Sequence, residues 1–211
     1  MTFVIAIDGH AASGKGTIAK GVAQHFGFSY LDTGLIYRAV AQQAMSKSTK
    51  PLTSEGLVHI ARNFKLKHLE LENLRSSQVA IYASEIATLP EVRLELMKFQ
   101  RNFAFKSQGA VLDGRDIGTV IVPTAQVKFF ITADINTRAE RRYQQLIKDE
   151  GAISSKSVLE DLSKRDGLDS DRLHSPLKIS TDAHLIDTTE LSIEASIAFA
   201  TRLVEQVKEK I

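Results

Sequence analysis

The sequence predicts a three-layer α/β fold, a central parallel sheet covered by helices on both faces, with a smaller lobe inserted into it and a flap near its end. Three observations carry this expectation. Within residues 3–26 an apolar, β-branched run ends in an acid, turns through glycines and small residues, and opens a helix. Strand-like runs then alternate with helical periodicity, the order of elements that makes a parallel sheet. The chain has 211 residues and is 43% hydrophobic, enough for one good core with small appended lobes.

Phe3–Ile7 is the first strand, and Thr17–Phe26 carries the apolar spacing of a helix that opens at Lys15. Between them the chain fits the G-x-x-x-x-G-K frame of a phosphate loop. In that frame Gly9, His10, Ala11, Ala12, Ser13 and Gly14 close backbone N–H groups around phosphate oxygens, and Lys15 reaches the terminal phosphates. The helix N-terminus adds its positive dipole end. Gly16 follows the lysine and the hydroxyl comes one place later, at Thr17, an ending found in small-molecule kinases of the adenylate-kinase type.

Phe28–Leu31 reads as a second strand, and LDTGLIYR leads from it into helical spacing through Met45. Asp32-Thr33-Gly34 has two readings: a plain helix cap, or an anion site shared by the Thr33 hydroxyl and Arg38 one turn further on. The polar break SKSTKPL, residues 46–52, opens the inserted lobe. Ser54–Phe64 is helical, Lys65–Leu71 alternates weakly as a short strand would, and Ser76–Leu89 is helical again. Pro90 suits the first turn of a helix running to about Lys106, where Arg93 lies off the apolar stripe and reads as solvated.

Ala110–Leu112 is a brief strand ending in DGRDIGT, where open parallel sheets place ligand groups, so Asp113, Arg115 and Asp116 are candidates. Val127–Thr132 is a buried strand and Asn136–Lys148 a helix. On that helix Arg138 and Arg142 share a face, either as a solvated basic stripe or as a pair reaching one polyphosphate. EGAISSKS, residues 150–157, is a break; helical VLEDLSKRD and the polar run DGLDSDRLHSPLK follow. Gly167 argues against one straight helix presenting Arg165, Asp169 and Arg172 together, so the segment reads as a mobile flap or an exposed loop. Ala183–Asp187 is the last strand, and Ser192 caps a closing helix to Lys210.

Composition excludes several classes. A net charge of +2 with no basic block longer than two residues does not make a nucleic-acid coat. No cysteine means no disulfide framework and no thiolate metal site, in keeping with a reducing cytoplasm. The N-terminal apolar run is too short for a signal peptide and no window approaches a membrane span, so a soluble, cytoplasmic chain is expected. Six histidines are scattered without metal spacing. Absence of N-K-x-D and D-x-x-G motifs counts against a GTP-dependent switch, and the intact Lys15 with several arginines counts against a module that only binds nucleotide.

With GHAASGKGT, LDTGLIYRA, LPEVR, LDGRDIGTVIVP, RAERRY, RDGLDSDRLHSPL and LIDTTELSI in that order, the chain resembles bacterial cytidylate kinases over nearly its whole length. The resemblance implies a P-loop core of about residues 1–45, 90–147 and 178–211, a nucleoside-monophosphate lobe of about 46–89, and a lid of about 148–177. It implies ATP as donor, CMP and dCMP as acceptors, Mg²⁺, and a monomer. Lys15 and the loop through Thr17 would hold ATP phosphates, with Arg138 and Arg142 on the ATP side. Arg38, Arg115 and Arg172 would hold the acceptor phosphate. Ser84, Arg93 and Asp116 match positions that read the cytosine edge, and Arg165 and Asp169 those near the sugar and phosphates. With Gly16 where a hydroxyl ligand often sits, Mg²⁺ would be held through water near Asp8 or Asp113. The chain departs from the family pattern at Ala12, where many members have glycine, at Leu168, where many have arginine, and in the short stretch between Phe64 and Ser84. UMP, AMP and shikimate are rival acceptors within the same reaction class.

Overall fold

The computed structural model describes residues 2–47, 52–70, 73–150 and 153–210, without the side chains of 149 and 150. Among the described residues a five-stranded parallel sheet runs in the order β2-β3-β1-β4-β5. The strands are β1 (Phe3–Gly9), β2 (Ser29–Asp32), β3 (Gly109–Gly114), β4 (Val127–Thr132) and β5 (His184–Asp187). β1 lies at the centre, with Ile5 opposite Val111 on one side and Val127 on the other.

The strand period of two sorts the side chains into two cores. Val4, Ala6, Leu31 and Leu112 face α2 (Thr33–Lys47) and α5 (Pro90–Lys106), while Ile5, Ile7, Phe129 and Ile131 face α1 (Lys15–Phe26) and α8 (Ile193–Lys208). Burying each such aliphatic side chain stabilises the fold by roughly 1.5–3 kcal/mol. α1 stops at Gly27, left-handed at φ 64°, and packs so tightly on α8 that a Cβ on Gly21 would lie 2.7 Å from Ile197. Ser192 caps α8 by accepting the Ala195 N–H at 3.1 Å, as its position predicts.

The inserted lobe contains α3 (Ser54–Arg62) and α4 (Ser77–Ile86), capped by Thr53 and Ser76 and packed on α2 and α5. The stretch expected as a short strand is instead a 3-10 helix over Leu66–Glu70. The His68 ring accepts the Lys65 N–H and stacks edge-on to Phe64, a local solution to backbone pairing. Pro51 and the other residues of the break at 48–51 lie outside the described residues, as do 71 and 72.

α6 (Ile135–Glu150) and α7 (Ser155–Asp171) form the region of the expected flap. α7 corrects the reading of Gly167: the helix runs through it. A Cβ there would meet only the Asp171 carboxylate at 4.0 Å, so the glycine answers no steric demand, and its cost of about 1 kcal/mol is outweighed by Val158 and Leu162 packing on Leu146. Residues 151 and 152 of the predicted break lie outside the described residues.

Candidate active site

The phosphate loop joins β1 to α1 at the carboxyl ends of the strands, where open α/β sheets leave a crevice. Gly9 has φ 150°, and a Cβ on it would sit 2.0 Å from the Ile131 carbonyl oxygen, so only glycine fits. Gly14, at φ 87°, is the N-cap of α1. Ala12 adopts a left-handed φ of 58°, a region that favours glycine, so this backbone carries strain rather than avoiding it. Lys15 Nζ donates to the His10 carbonyl at 3.3 Å. Burial, reinforced by Arg115, pulls the Lys15 ammonium down to about 7 against the opposing pull of Asp113 and Asp32.

A cavity of about 1010 Å³ opens over the loop. Lys15, Lys20, Arg38, Arg75, Arg115, Arg142 and Arg165 line it, against only Asp32 and Asp113. Burial, then Arg165 and Arg142, pulls Arg38 down to about 9; burial and Arg115 pull Arg165 to about 10, and its Nε is buried without a hydrogen-bond partner. Guanidinium groups that depress one another in a shared cavity favour a polyanion there. Asp32 and Asp113 are register partners at the ends of β2 and β3, and burial followed by repulsion from Asp32 pushes the Asp113 carboxyl up to about 8.

Beside it lies a second cavity of about 450 Å³, lined by Ser84 on α4, Arg93 on α5, Tyr37 on α2, and Asp116, Asp169 and Arg172. Arg93 is not solvated: it is 7% exposed, donates to Asp116 at 2.5 Å and to the Ala87 carbonyl at 3.2 Å, and lies over the Tyr37 ring. Asp169 accepts from Arg115 Nε at 2.6 Å and stands 3.9 Å from Arg172, whose other nitrogen is 3.8 Å from Asp116. α7 thus delivers Asp169 at its last turn and Arg172 just past its end, as one continuous helix where the sequence predicts a flap or an exposed loop.

A family model described as cytidylate kinase matches residues 5–207. The chain belongs to the cytidylate kinase family. Two curated members show how close the likeness is: "Cytidylate kinase" of Rhizobium meliloti strain 1021 is 47% identical over all of both chains. The same-named protein of Cereibacter sphaeroides strain KD131 is 47% identical over 97% of this chain and 96% of its own. Among solved structures, a gluconokinase from Sinorhizobium meliloti 1021 shares the fold at a TM-score of 0.51 with 13% identity, covering 99% of this chain and 97% of its own.

Within this family member the residues singled out from sequence divide into groups. Ala11, Ala12, Gly14, Lys15, Gly16 and Thr17 border the larger cavity, and Arg38, Arg115 and Arg165 border both. Ser84 sits in the smaller one, its hydroxyl donating to the Ala80 carbonyl at 3.1 Å. Asp32 is a cap, accepting the Leu35 N–H at 3.1 Å, and it also borders the larger cavity; the Thr33 hydroxyl donates to the Asp113 carbonyl at 2.7 Å instead of waiting free for an anion. Two expectations are corrected. Arg138 and Arg142 do not face the cavity as a pair, because Arg138 is turned inward to the Ala133 carbonyl at 2.9 Å and to Asp166 at 2.7 Å, while Arg142 lines the cavity and donates to the Arg75 carbonyl at 3.1 Å. Asp8 does not border the cavity: its two oxygens accept the Ile117 and Gly118 N–H groups, each at 2.8 Å. Ser13, expected to serve through its backbone, has its side chain fully buried. Sequence reasoning missed Arg75 and Asp32 as lining groups. Arg75 stands in a turn with no periodicity, whereas Asp32 was visible as the acid closing a strand beside another strand's acid.

Proposed function

We propose that this member of the cytidylate kinase family transfers the terminal phosphoryl group of ATP to the phosphate of CMP, and of dCMP, in a cavity shared between donor and acceptor. The observation that carries the reading is that Arg38, Arg115 and Arg165 border both cavities. Two phosphate-bearing ligands, one over the loop and one beside Asp116, bring their phosphates together at those guanidinium groups. An acceptor phosphate oxygen then bonds to the γ-phosphorus as the bond to the β–γ bridging oxygen breaks, giving ADP and the nucleoside diphosphate. Positioning and cations do the catalysis, so no side-chain nucleophile is required.

On this reading the loop from Gly9 to Thr17 with Lys15, Arg142 and Arg75 holds ATP phosphates. Arg38, Arg115 and Arg172 hold the acceptor phosphate, and Asp169 and Arg165 lie near the sugar. Ser84, Arg93 and Asp116 read cytosine: the carboxylate suits the exocyclic amino group, and an arginine, which only donates, suits N3 or the carbonyl. Mg²⁺, were it bound, would neutralise phosphate charge. Asp113 and Asp32 would hold it, a pair of neighbouring carboxylates of which burial and the other's charge keep one from ionising readily, with no side chain on Gly16 to crowd the Asp113 carboxylate. The described part of residues 46–89 forms the acceptor lobe, and the described part of 148–177 closes as a lid. A cysteine-free chain acting as a monomer in the cytoplasm fits this role; among the described residues no helix is long and apolar enough to cross a membrane.

The test is a coupled ATP assay over CMP, dCMP, UMP, AMP and shikimate, on wild type and on Lys15→Ala. CMP should be the best acceptor, and Lys15→Ala should lose at least ~10²-fold in rate with an unchanged melting curve. Turnover within a few-fold of wild type in Lys15→Ala refutes the assignment.

A further inference from the structure

Two polar residues outside both cavities close on the phosphate loop from behind. Thr188, just after β5, is 4% exposed, and its hydroxyl donates to the Ser13 carbonyl at 2.9 Å. Arg141 on α6 grips Thr188 twice, Nη1 to the hydroxyl oxygen at 3.0 Å and Nη2 to the carbonyl at 2.7 Å. The Thr188 N–H donates to the Thr132 carbonyl at 2.9 Å, which ties the same residue to β4.

A hydroxyl has one proton to give. Of its two carbonyl acceptors, Ser13 at 2.9 Å is nearer than Thr132 at 3.2 Å, which also takes the Thr188 N–H, and with Arg141 donating to the hydroxyl oxygen the shorter bond to Ser13 is the favoured place for the proton. The Ser13 carbonyl belongs to the peptide whose N–H is that of Gly14. A trans peptide is planar, and its C=O and N–H point in opposite directions. Fixing the carbonyl on Thr188 therefore aims the Gly14 N–H at the opposite side, where Gly14 borders the large cavity. This peptide needs fixing, because Gly14 stands at φ 87° and glycine gives no steric resistance to rotation of the plane.

We propose that Thr188 and Arg141 are positioning residues for the donor phosphates: they hold the Ser13–Gly14 peptide with its N–H aimed at ATP, while neither touches the ligand. The inference rests on the reading of the loop as the ATP site. It separates a role in aiming the loop from a role in packing β5 against β4, because packing does not depend on the hydroxyl.

The experiment compares Thr188→Val, which keeps the shape and loses the hydroxyl, with Thr188→Ser, which keeps the hydroxyl, and with Arg141→Leu. Thr188→Val should lower kcat/KM for ATP about tenfold, less than the ~10²-fold or more for outright loss of a preorganised donor, with KM for CMP unchanged. Thr188→Ser should restore most of the loss, and Arg141→Leu should fall in between. Should Thr188→Val fail to fold, Arg141→Leu carries the same comparison from the helix surface. The amide resonance of Gly14 in the ligand-free protein should also shift in Thr188→Val and return in Thr188→Ser. Wild-type kinetics in both Thr188→Val and Arg141→Leu, or an equal loss in Thr188→Ser and Thr188→Val, overturns the proposal. If wild type itself does not use ATP, the kinase reading falls, and an unmoved Gly14 amide in Thr188→Val then overturns the brace by itself.

Discussion

Removing the Asp116 carboxylate should produce two losses of different origin, and the structure allows them to be separated. Asp116 and Arg93 are 5% and 7% exposed and paired at 2.5 Å. Asp116→Ala leaves the buried Arg93 guanidinium with the Ala87 carbonyl, the Tyr37 ring and the more distant charge of Asp169, while Arg172 keeps Asp169, and breaking a buried pair in this way costs about 3–5 kcal/mol. At roughly 2–4 °C per kcal/mol for a chain of this size, the melting temperature should drop by roughly 6–20 °C. Replacing both partners, Asp116→Ala with Arg93→Met, removes the uncompensated charge and should recover most of that stability. Specificity should not recover. The carboxylate that accepts from the cytosine amino group is gone in both variants, and an unmatched polar group costs about 1–3 kcal/mol, so the CMP-to-UMP ratio of kcat/KM should shrink by about tenfold to about a hundredfold. The assays are thermal melting and a coupled ADP-release assay on both nucleotides. A ratio equal to wild type in Asp116→Ala refutes the base-reading role; a double variant as unstable as the single one refutes the account of the pair.

Three further outcomes are expected. Because burial holds Lys15 near 7, an ATP phosphate beside it restores its usual basicity, so binding of ATP without metal at pH 8 should take up most of ~1 proton. A divalent cation lowers the Asp113 carboxyl from about 8 and so offsets part of that uptake; calorimetry in buffers of different ionisation heat measures both, and no buffer dependence in either case contradicts the assignment. Ala12→Gly should raise the melting temperature by a few degrees, since relief of a left-handed alanine is worth about 1–2 kcal/mol and glycine returns about 0.4–1 of that through the unfolded chain; a fall in melting temperature would count against strain at this residue. Amide exchange across Ser155–Asp171 should slow when ATP and CMP analogues are added together but not with either alone; identical exchange in all cases speaks against a closing lid.

The core of the fold was legible because β1, β4 and α1 declare themselves by local chemistry: a β-branched run, a glycine frame, an apolar stripe at helical spacing. Two caps were equally open to reading, since Asp32 and Ser192 act within three residues of themselves. What escaped depends on partners far along the chain. Arg93 reads as solvated until Asp116, 23 residues on, is folded against it. Arg138 and Arg142 share a helix face, yet Asp166 on α7 draws one of them inward. Gly167 misled because helix propensity is a small local cost, and what outweighs it is the packing of Val158 and Leu162 against Leu146 on another helix.

Asp8 has a consequence for distance. It is the last acid before the phosphate loop, and its two oxygens hold the N–H groups of Ile117 and Gly118, which directly follow Arg115 and Asp116. One carboxylate is therefore bolted into the frame of the loop and into the frame of the turn that faces it. On the proposed reading, loop and turn are spaced by a single side chain near the end of the central strand, and a change at Asp8 would be felt on both sides of the site at once.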